Sequence, residues 1–267
     1  MINSPPLKAI LLAAGLGKRL RPLTKFLPKC LMPIRGTPLL EYWLATMFQL
    51  KIKDVLVNVH YRSADVKSFL NRPRFKDWVV FKEEQELLGT AGTVRDNLDF
   101  LEDSPCLLVH ADNWCCCSLN EFVNYHKNKR SKDTVITMMT FSAPDPQNCG
   151  IVETDRKGIV TNFFEKITNP PSDKANAAVY IIEPEVVSWI KDNKEVKDFS
   201  TEVIPEFLGK ISTWHNNSIH RDIGTLHSLE IAQKDLRVSL PWNEDDEWQR
   251  DFTKHQVHKM IAGGLEL

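Results

Sequence analysis

The residues best equipped for chemistry stand near the front of the chain, at 12–31. An apolar run at 9–12 is short enough to be a buried strand, and it is followed by Gly15 and Gly17 and then by cations. Glycine lets a backbone approach an anion closely with its N–H groups turned inward. Lys18, Arg19, Arg21, Lys25 and Lys29 then place five positive charges within twelve positions. Pro22 and Pro28 stiffen the segment that carries them, so the cations are held out rather than wound into a helix. Strand, glycines and cations in that order suit a polyphosphate.

Two common phosphate-binding patterns do not fit. A dinucleotide-binding turn needs a third glycine where this chain has Leu20, and an acid at the end of the second strand, where it has Val59-His60-Tyr61. A Walker-type loop needs Ser or Thr after Gly-Lys, and Gly17-Lys18 is followed by Arg19. The stretch Gly15 to Thr24, continued by Pro28-Lys29, instead resembles the opening motif of the nucleotidyltransferase family that activates sugar 1-phosphates, Gly-x-Gly-x-Arg-Leu-x-Pro-Leu-Thr and then Pro-Lys. Cys30 departs from it, standing where the family usually has a second proline. The resemblance implies that Ala13, Ala14, Gly15, Gly17 and Lys18 line the nucleotide and that Arg19 and Lys29 are catalytic.

Further motifs follow in the family's order. Residues 83–92, Glu-Glu-Gln-Glu-Leu-Leu-Gly-Thr-Ala-Gly, resemble its base-reading loop, which assigns Glu84, Gly89, Thr90 and Ala91 to the nucleotide. Guanine presents two neighbouring donors, which a carboxylate accepts together. Uracil or thymine would favour an amide, and thymidylyl members carry glutamine at the position of Glu84. An acidic, solvated helix start is the other reading of this stretch. Asp112, at the carboxyl end of a strand, matches the family's Gly-Asp with Ala111 replacing the glycine. Asp222, in Arg221-Asp222-Ile223-Gly224-Thr225, matches its late Asp-x-Gly-Thr. By resemblance these two carboxylates hold Mg²⁺, a hard cation suited to oxygen ligands. On the sugar side the same comparison implicates Asn113, Gly150, Glu165, Lys166 and Asn176, with Cys149 and Ala178 standing where the family has an aromatic residue and a glycine.

The implied reaction is attack by the phosphate of a sugar 1-phosphate on the α-phosphorus of an NTP, with pyrophosphate leaving in line. Because the attacking phosphate is already ionised, none of the eight histidines is needed as a base. The expected activity is a guanylyltransferase acting on mannose- or manno-heptose-1-phosphate. A uridylyltransferase for a hexose or muramate 1-phosphate is the alternative within the family, and a catalytically silent nucleotide-sugar-binding regulatory subunit is the alternative of another class.

Elements must position these residues. Short apolar strands at 55–59, 78–81, 106–109 and 135–140 alternate with helical patterns at 37–50, 64–70, 93–101 and 118–129. This predicts an α/β fold: a doubly wound, mainly parallel, Rossmann-like mixed sheet with helices on both faces. A hairpin at 151–164 and a strand at 177–182 predict a small antiparallel part that binds the sugar. The expected organisation is a nucleotidyltransferase domain over 1–237, with a nucleotide half at about 1–140 and a sugar half at about 141–237, and a helical tail over 238–267. That tail places Glu244 to Glu247 between Trp242 and Trp248.

The 267 residues can bury a sizeable core. Lys and Arg total 34 against 35 Asp and Glu, a net charge of −1, so no broad basic field favours nucleic acid or a membrane surface. No apolar run approaches a membrane span. Six cysteines, three of them consecutive at 115–117, form neither a disulfide framework nor a paired zinc pattern; they read as reduced thiols in a cytoplasmic protein. The expected partners are small molecules, an NTP and a sugar 1-phosphate, and the family is often homo-oligomeric.

Overall fold

The computed structural model describes residues 5–236, 238–243 and 245–263; Glu244 and the last part of the expected tail, 264–267, lie outside them. The chain divides into two compact units woven from separate segments. The first comprises the chain up to Ile10, Leu88–His110 and Cys117–His220; the second comprises Leu11–Leu87, Ala111–Cys116 and the chain from Arg221 on. The fold is α/β, with strands in mixed orientation. No helix among the described residues is long and apolar enough to cross a membrane.

In the first unit the long strand Lys174–Ile182 is central. It runs antiparallel to Cys106–His110 on one side and to Ile136–Ser142 on the other, and Ile211–His215 lies parallel to Ile136–Ser142. Alternate partners such as Leu107, Val109, Met138, Tyr180 and Ile182 are buried, which is what the apolar runs require. The expected hairpin is present as Gly150–Thr154 paired with Val160–Glu165. Pro184 opens the helix Pro184–Asp192, whose Val186, Val187 and Ile190 face inward. Ser118 Oγ accepts the Glu121 N–H at 3.4 Å at the start of Leu119–Asn128.

In the second unit the strands Val55–Val59 and Val79–Glu83 pair in parallel. The end of the strand Lys8–Leu12 joins this unit, and Leu12 O accepts from Ala111 N at 3.0 Å. The helix predicted from Thr37 begins two residues later, at Leu39–Gln49. Thr37–Pro38 instead pairs with Pro33–Ile34, because Arg35 and Gly36 both take positive φ, 52° and 89°, and close a tight hairpin. At the far end, Thr225 and Ser228 cap each other's backbone to start Leu226–Lys234.

The described part of the acidic tail packs onto this second unit through buried charge. Glu41, on the inner face of its helix, accepts from Arg72 at 2.6 Å, from Arg74 at 3.1 Å and from Trp242 Nε1 at 2.9 Å. Asp246 accepts from Arg72 and Arg74 at 2.8 Å and caps the helix Glu247–Phe252. The Arg72 guanidinium also lies 4.9–5.3 Å from the ring centres of Trp248, Phe69 and Phe75. The described tail residues include the helices Glu247–Phe252 and Gln256–Ala262.

Breaking a buried pair is costlier than never having built it, since an uncompensated charge stays behind. Glu41→Ala is therefore expected to lower unfolding free energy by about 3–5 kcal/mol in a urea titration; a loss below about 1 kcal/mol would contradict the network's role. Burial alone would raise the Asp246 carboxyl, but the Gln249 N–H and the two guanidiniums hold it below its ordinary value. A depressed carboxyl contributes stability that is fully present above its unfolded value, about 3.9, and lost as pH falls through the lower folded one. Wild type should thus lose this stabilisation in acid below that range, and Asp246→Asn should lose less stability over the same acid interval.

Candidate active site

The first loop follows from burial on both sides of its glycines. Ala13 and Ala14 are buried, Leu20 and Leu23 are fully so, and between them the chain must turn sharply. Gly17 makes the turn at φ 58°. A methyl placed on it would stand 2.8 Å from Thr24 Cγ2 and 3.2 Å from Lys29 Cβ, so a side chain is excluded on conformation and on space. Thr24 Oγ1 donates to Gly17 O at 2.9 Å, and Tyr61 OH donates to Thr24 O at 2.9 Å, so the loop is braced from the strand side. Lys18, Arg19, Arg21 and Lys25 are exposed, whereas Lys29 is buried in a short turn with Cys30 and Leu31.

Lys29 is the centre of a charge cluster within the second unit. Its ammonium donates to Asp112 Oδ2 at 2.8 Å and to Asp222 Oδ1 at 2.6 Å. Arg19 Nη2 donates to the other oxygen of Asp222 at 2.9 Å. Burial pushes the Lys29 pKa down, but the two carboxylates outweigh it and hold it above the ordinary lysine value. The ammonium is therefore charged at neutral pH. The cluster is open on one side, the Arg19 and Asp222 side chains being 69% and 46% exposed. Gly224 keeps this side narrow: a Cβ there would meet Arg19 Nη2 at 2.8 Å and both Asp222 oxygens at 2.9 Å. A Cβ on Gly15 would lie 4.0 Å from Asp112 Oδ2, so the glycine loop passes beside the same carboxylate.

Glu84 is also in the second unit but lies buried. Its Oε1 accepts from Asn58 Nδ2 at 2.8 Å, and Asn58 Oδ1 accepts from Ala13 N at 2.9 Å. Asn113 is buried too, and its carbonyl accepts from Trp43 Nε1 at 2.9 Å.

The remaining expected site residues belong to the first unit. Gly89 has φ 78°, and a Cβ on it would meet the Lys197 carbonyl oxygen at 2.4 Å. Ala91 N donates to that carbonyl at 2.9 Å, and Thr90 Oγ1 accepts from Phe199 N at 2.6 Å. The small residues of this loop thus serve close packing of backbone on backbone. On the hairpin, Gly150 and Glu165 are register partners, and a Cβ on Gly150 would strike Phe163 at 2.6 Å and Glu165 Oε2 at 2.9 Å. Lys166 pairs with Glu165 at 3.2 Å. Asn176 accepts from Ala178 N at 2.9 Å and donates to Tyr180 OH at 2.6 Å. Ala178 has φ 54°, a left-handed conformation that explains why glycine suits that position.

All six cysteines are free thiols. Burial pushes Cys30, Cys106 and Cys116 up to about 12, far from the reactive thiolate range. Among the described residues no group of three or more His, Cys, Asp or Glu gathers as a metal cage. Asn58 is the site residue that sequence reading passed over. Its signal was present, a single amide inside the otherwise apolar, buried strand Val-Leu-Val-Asn-Val.

With this geometry in hand, the pattern of the family described as "Nucleotidyl transferase" matches residues 8–239. The chain is 29% identical over 233 residues to a mannose-1-phosphate guanylyltransferase of Mycobacterium tuberculosis, covering 85% of this chain and 64% of that one. It is 32% identical over 199 residues to a mannose-1-phosphate guanylyltransferase catalytic subunit beta of Drosophila pseudoobscura pseudoobscura, covering 73% and 52%. The chain thus spans between half and two-thirds of the length of these curated relatives. A crystal structure from Bacillus anthracis, provisionally described as a glucose-1-phosphate thymidylyltransferase in complex with a sucrose, superposes with a TM-score of 0.77 at 24% identity, covering 87% of this chain and 97% of that one. That likeness establishes the fold.

Gly17→Ala is expected to cost about 1–3 kcal/mol, the usual penalty of a left-handed non-glycine residue held in place, and to displace Lys29. Denaturant unfolding and a structure of the variant check this. Unchanged stability with Lys29 still between both carboxylates would refute it.

Proposed function

The chain belongs to the nucleotidyl transferase family, and we propose that it transfers GMP from GTP to mannose- or manno-heptose-1-phosphate, releasing pyrophosphate. The observation that carries this reading is the meeting of Arg19, Lys29, Asp112 and Asp222 in one half-open cluster beside the glycine loop. The names of the guanylyltransferase relatives support the nucleotide and the mannose configuration.

The donor set suits a hard divalent cation. One cationic atom, Lys29 Nζ, already reaches both carboxylates at 2.8 and 2.6 Å, so the two acids converge closely enough to share a positive charge. Asp112 and Asp222 would hold Mg²⁺, which supplies charge neutralisation and alignment of phosphate oxygens when bound.

The rest of the work falls to this chain's own side chains. Both reactants are anions, so positioning and cancellation of charge are the main requirements. In this reading Arg19, largely exposed, takes oxygens of the leaving pyrophosphate. Lys29, buried and firmly protonated, faces the α-phosphate. Ala13, Ala14, Gly15, Gly17 and Lys18 line the polyphosphate, and Glu84 with Gly89, Thr90 and Ala91 selects the base. Asn113, Gly150, Glu165, Lys166 and Asn176 hold the sugar phosphate. The nucleotide is handled largely within 1–140 and the sugar within 141–237, with the tail bracing the former. A cytoplasmic setting agrees with the free thiols.

Purified protein incubated with each of GTP, UTP, dTTP, CTP and ATP, paired with a panel of sugar 1-phosphates, should release pyrophosphate with GTP and a manno-configured sugar. Release with UTP alone would reject the base assignment, and no release with any pair would reject the enzyme. EDTA should abolish turnover and Mg²⁺ should restore it. Lys29→Met should lower kcat by about 10²–10³, equivalent to about 2.7–4 kcal/mol of barrier, by analogy with loss of one oxyanion donor.

A further inference from the structure

Asn58 is 2% exposed, in the middle of the strand Val55–Val59, and its amide stands between two parts of the second unit that the proposed chemistry uses. The Ala13 N–H is shared between two acceptors on this one residue, the Asn58 side-chain oxygen at 2.9 Å and its main-chain oxygen at 3.2 Å. The other end of the amide donates to Glu84 Oε1 at 2.8 Å. Glu84 is held by its backbone as well: its N–H donates to Val59 O at 2.8 Å, and its carbonyl lies 2.9 Å from His60 Nδ1.

The orientation of this amide is forced. A backbone N–H can only donate, so the amide oxygen must face Ala13 and the NH₂ must face Glu84. The atom of residue 84 that meets Asn58 must then be an acceptor. With a carboxylate at 84, the second oxygen is an acceptor too. With a glutamine at 84, the carbonyl would be drawn to Asn58 and the NH₂ would take the place of the second oxygen. The same strand residue that anchors the start of the glycine loop therefore fixes the hydrogen-bonding polarity of residue 84.

We propose that Asn58 is a specificity-positioning residue: it sets the polarity of the group at 84 and, through Ala13, ties that group to the phosphate loop. This rests on the reading of Glu84 as the residue that selects the base. Asn58 acts through Glu84 and Ala13 and need not touch the nucleotide.

A polarity swap tests it. In Glu84→Gln, Asn58 turns the new amide so that a donor replaces the second carboxylate oxygen, and the ratio of kcat/KM for GTP to that for UTP should fall at least about tenfold. In the double variant N58D/E84Q, one aspartate oxygen accepts from Ala13 N–H and the other from the glutamine NH₂. That turns the glutamine carbonyl outward, and the ratio should recover by about tenfold over E84Q alone. A merely structural Asn58 would make the double variant no better than E84Q in this ratio, and that result would overturn the proposal. Asn58→Ala, which adds no charge, gives a second cycle: E84Q should change the ratio less in the N58A background than in wild type, and an equal change would overturn the proposal as well. Thermal unfolding of each variant establishes that it is folded. A wild-type preference for UTP would reject the guanine reading, while reversal of the E84Q effect by N58D, or its absence, would still decide the role of Asn58.

Discussion

One ammonium held between two carboxylates is the constraint on which the charge cluster of the second unit depends. Asp112 comes from the turn after Cys106–His110 and Asp222 from the end of His220–Asp222, more than a hundred residues apart in sequence. Brought together alone they would repel. Lys29, buried and held above its ordinary pKa by both, makes their approach favourable. The loop must then deliver Lys29 from the other direction, which is why Gly17 has to turn where it does and why Thr24 and Tyr61 brace it. The two cations and two anions of the cluster cancel. For Arg19 or Lys29 to face phosphate oxygens the carboxylates need another positive partner, and exposed Lys18, Arg21 and Lys25 add further positive charge along the loop.

The same unit contains a second cluster of acids and cations that shows what a purely structural version looks like. Glu41 and Arg72 are both almost fully buried, their oxygens and nitrogens are shared among Arg74, Asp246 and Trp242, and aromatic rings lie against the guanidinium. Such a network fixes the tail around a Glu41–Arg72 pair that is closed to solvent. The Lys29 cluster has comparable distances but keeps Arg19 and one face of Asp222 open. Ion pairs of similar geometry thus differ by burial.

Much of this was legible in the sequence because the determinants are local. The run before Gly15, the hairpin turn at 155–158 and Pro184 at the start of a helix each state their structure within a few residues. The long-range convergence of Arg19, Lys29, Asp112 and Asp222 was legible only through family resemblance, since no spacing rule brings residue 29 to residue 222. Three features were not read. Helix Leu39–Gln49 starts later than Thr37-Pro38 suggests, because the positive φ angles of Arg35 and Gly36 form a hairpin that claims Thr37 first. The pairing of Glu41 with Arg72 depends on a helix face meeting a loop, which periodicity cannot reveal. Asn58 was absorbed into an apolar strand although its amide was the one polar group there.

The glycines show that a motif's residue types can also be required by local packing. Gly89 was expected to line the nucleotide, and the Lys197 carbonyl would lie 2.4 Å from any Cβ at that position, so backbone packing within its own unit by itself forbids a side chain. Gly150 is required by Phe163 and Glu165 crossing over it. Ala178 makes the converse point: its φ of 54° is a conformation that glycine adopts without strain, and here the methyl is carried nonetheless. What holds it there is visible, since Asn176 Oδ1 takes the Ala178 N–H while its Nδ2 is tied to the buried Tyr180 hydroxyl. A side-chain clamp on the backbone substitutes for glycine's freedom, so the register shift between Asn176 and Tyr180 against Ile136–Ser142 survives although the residue that usually permits it has changed.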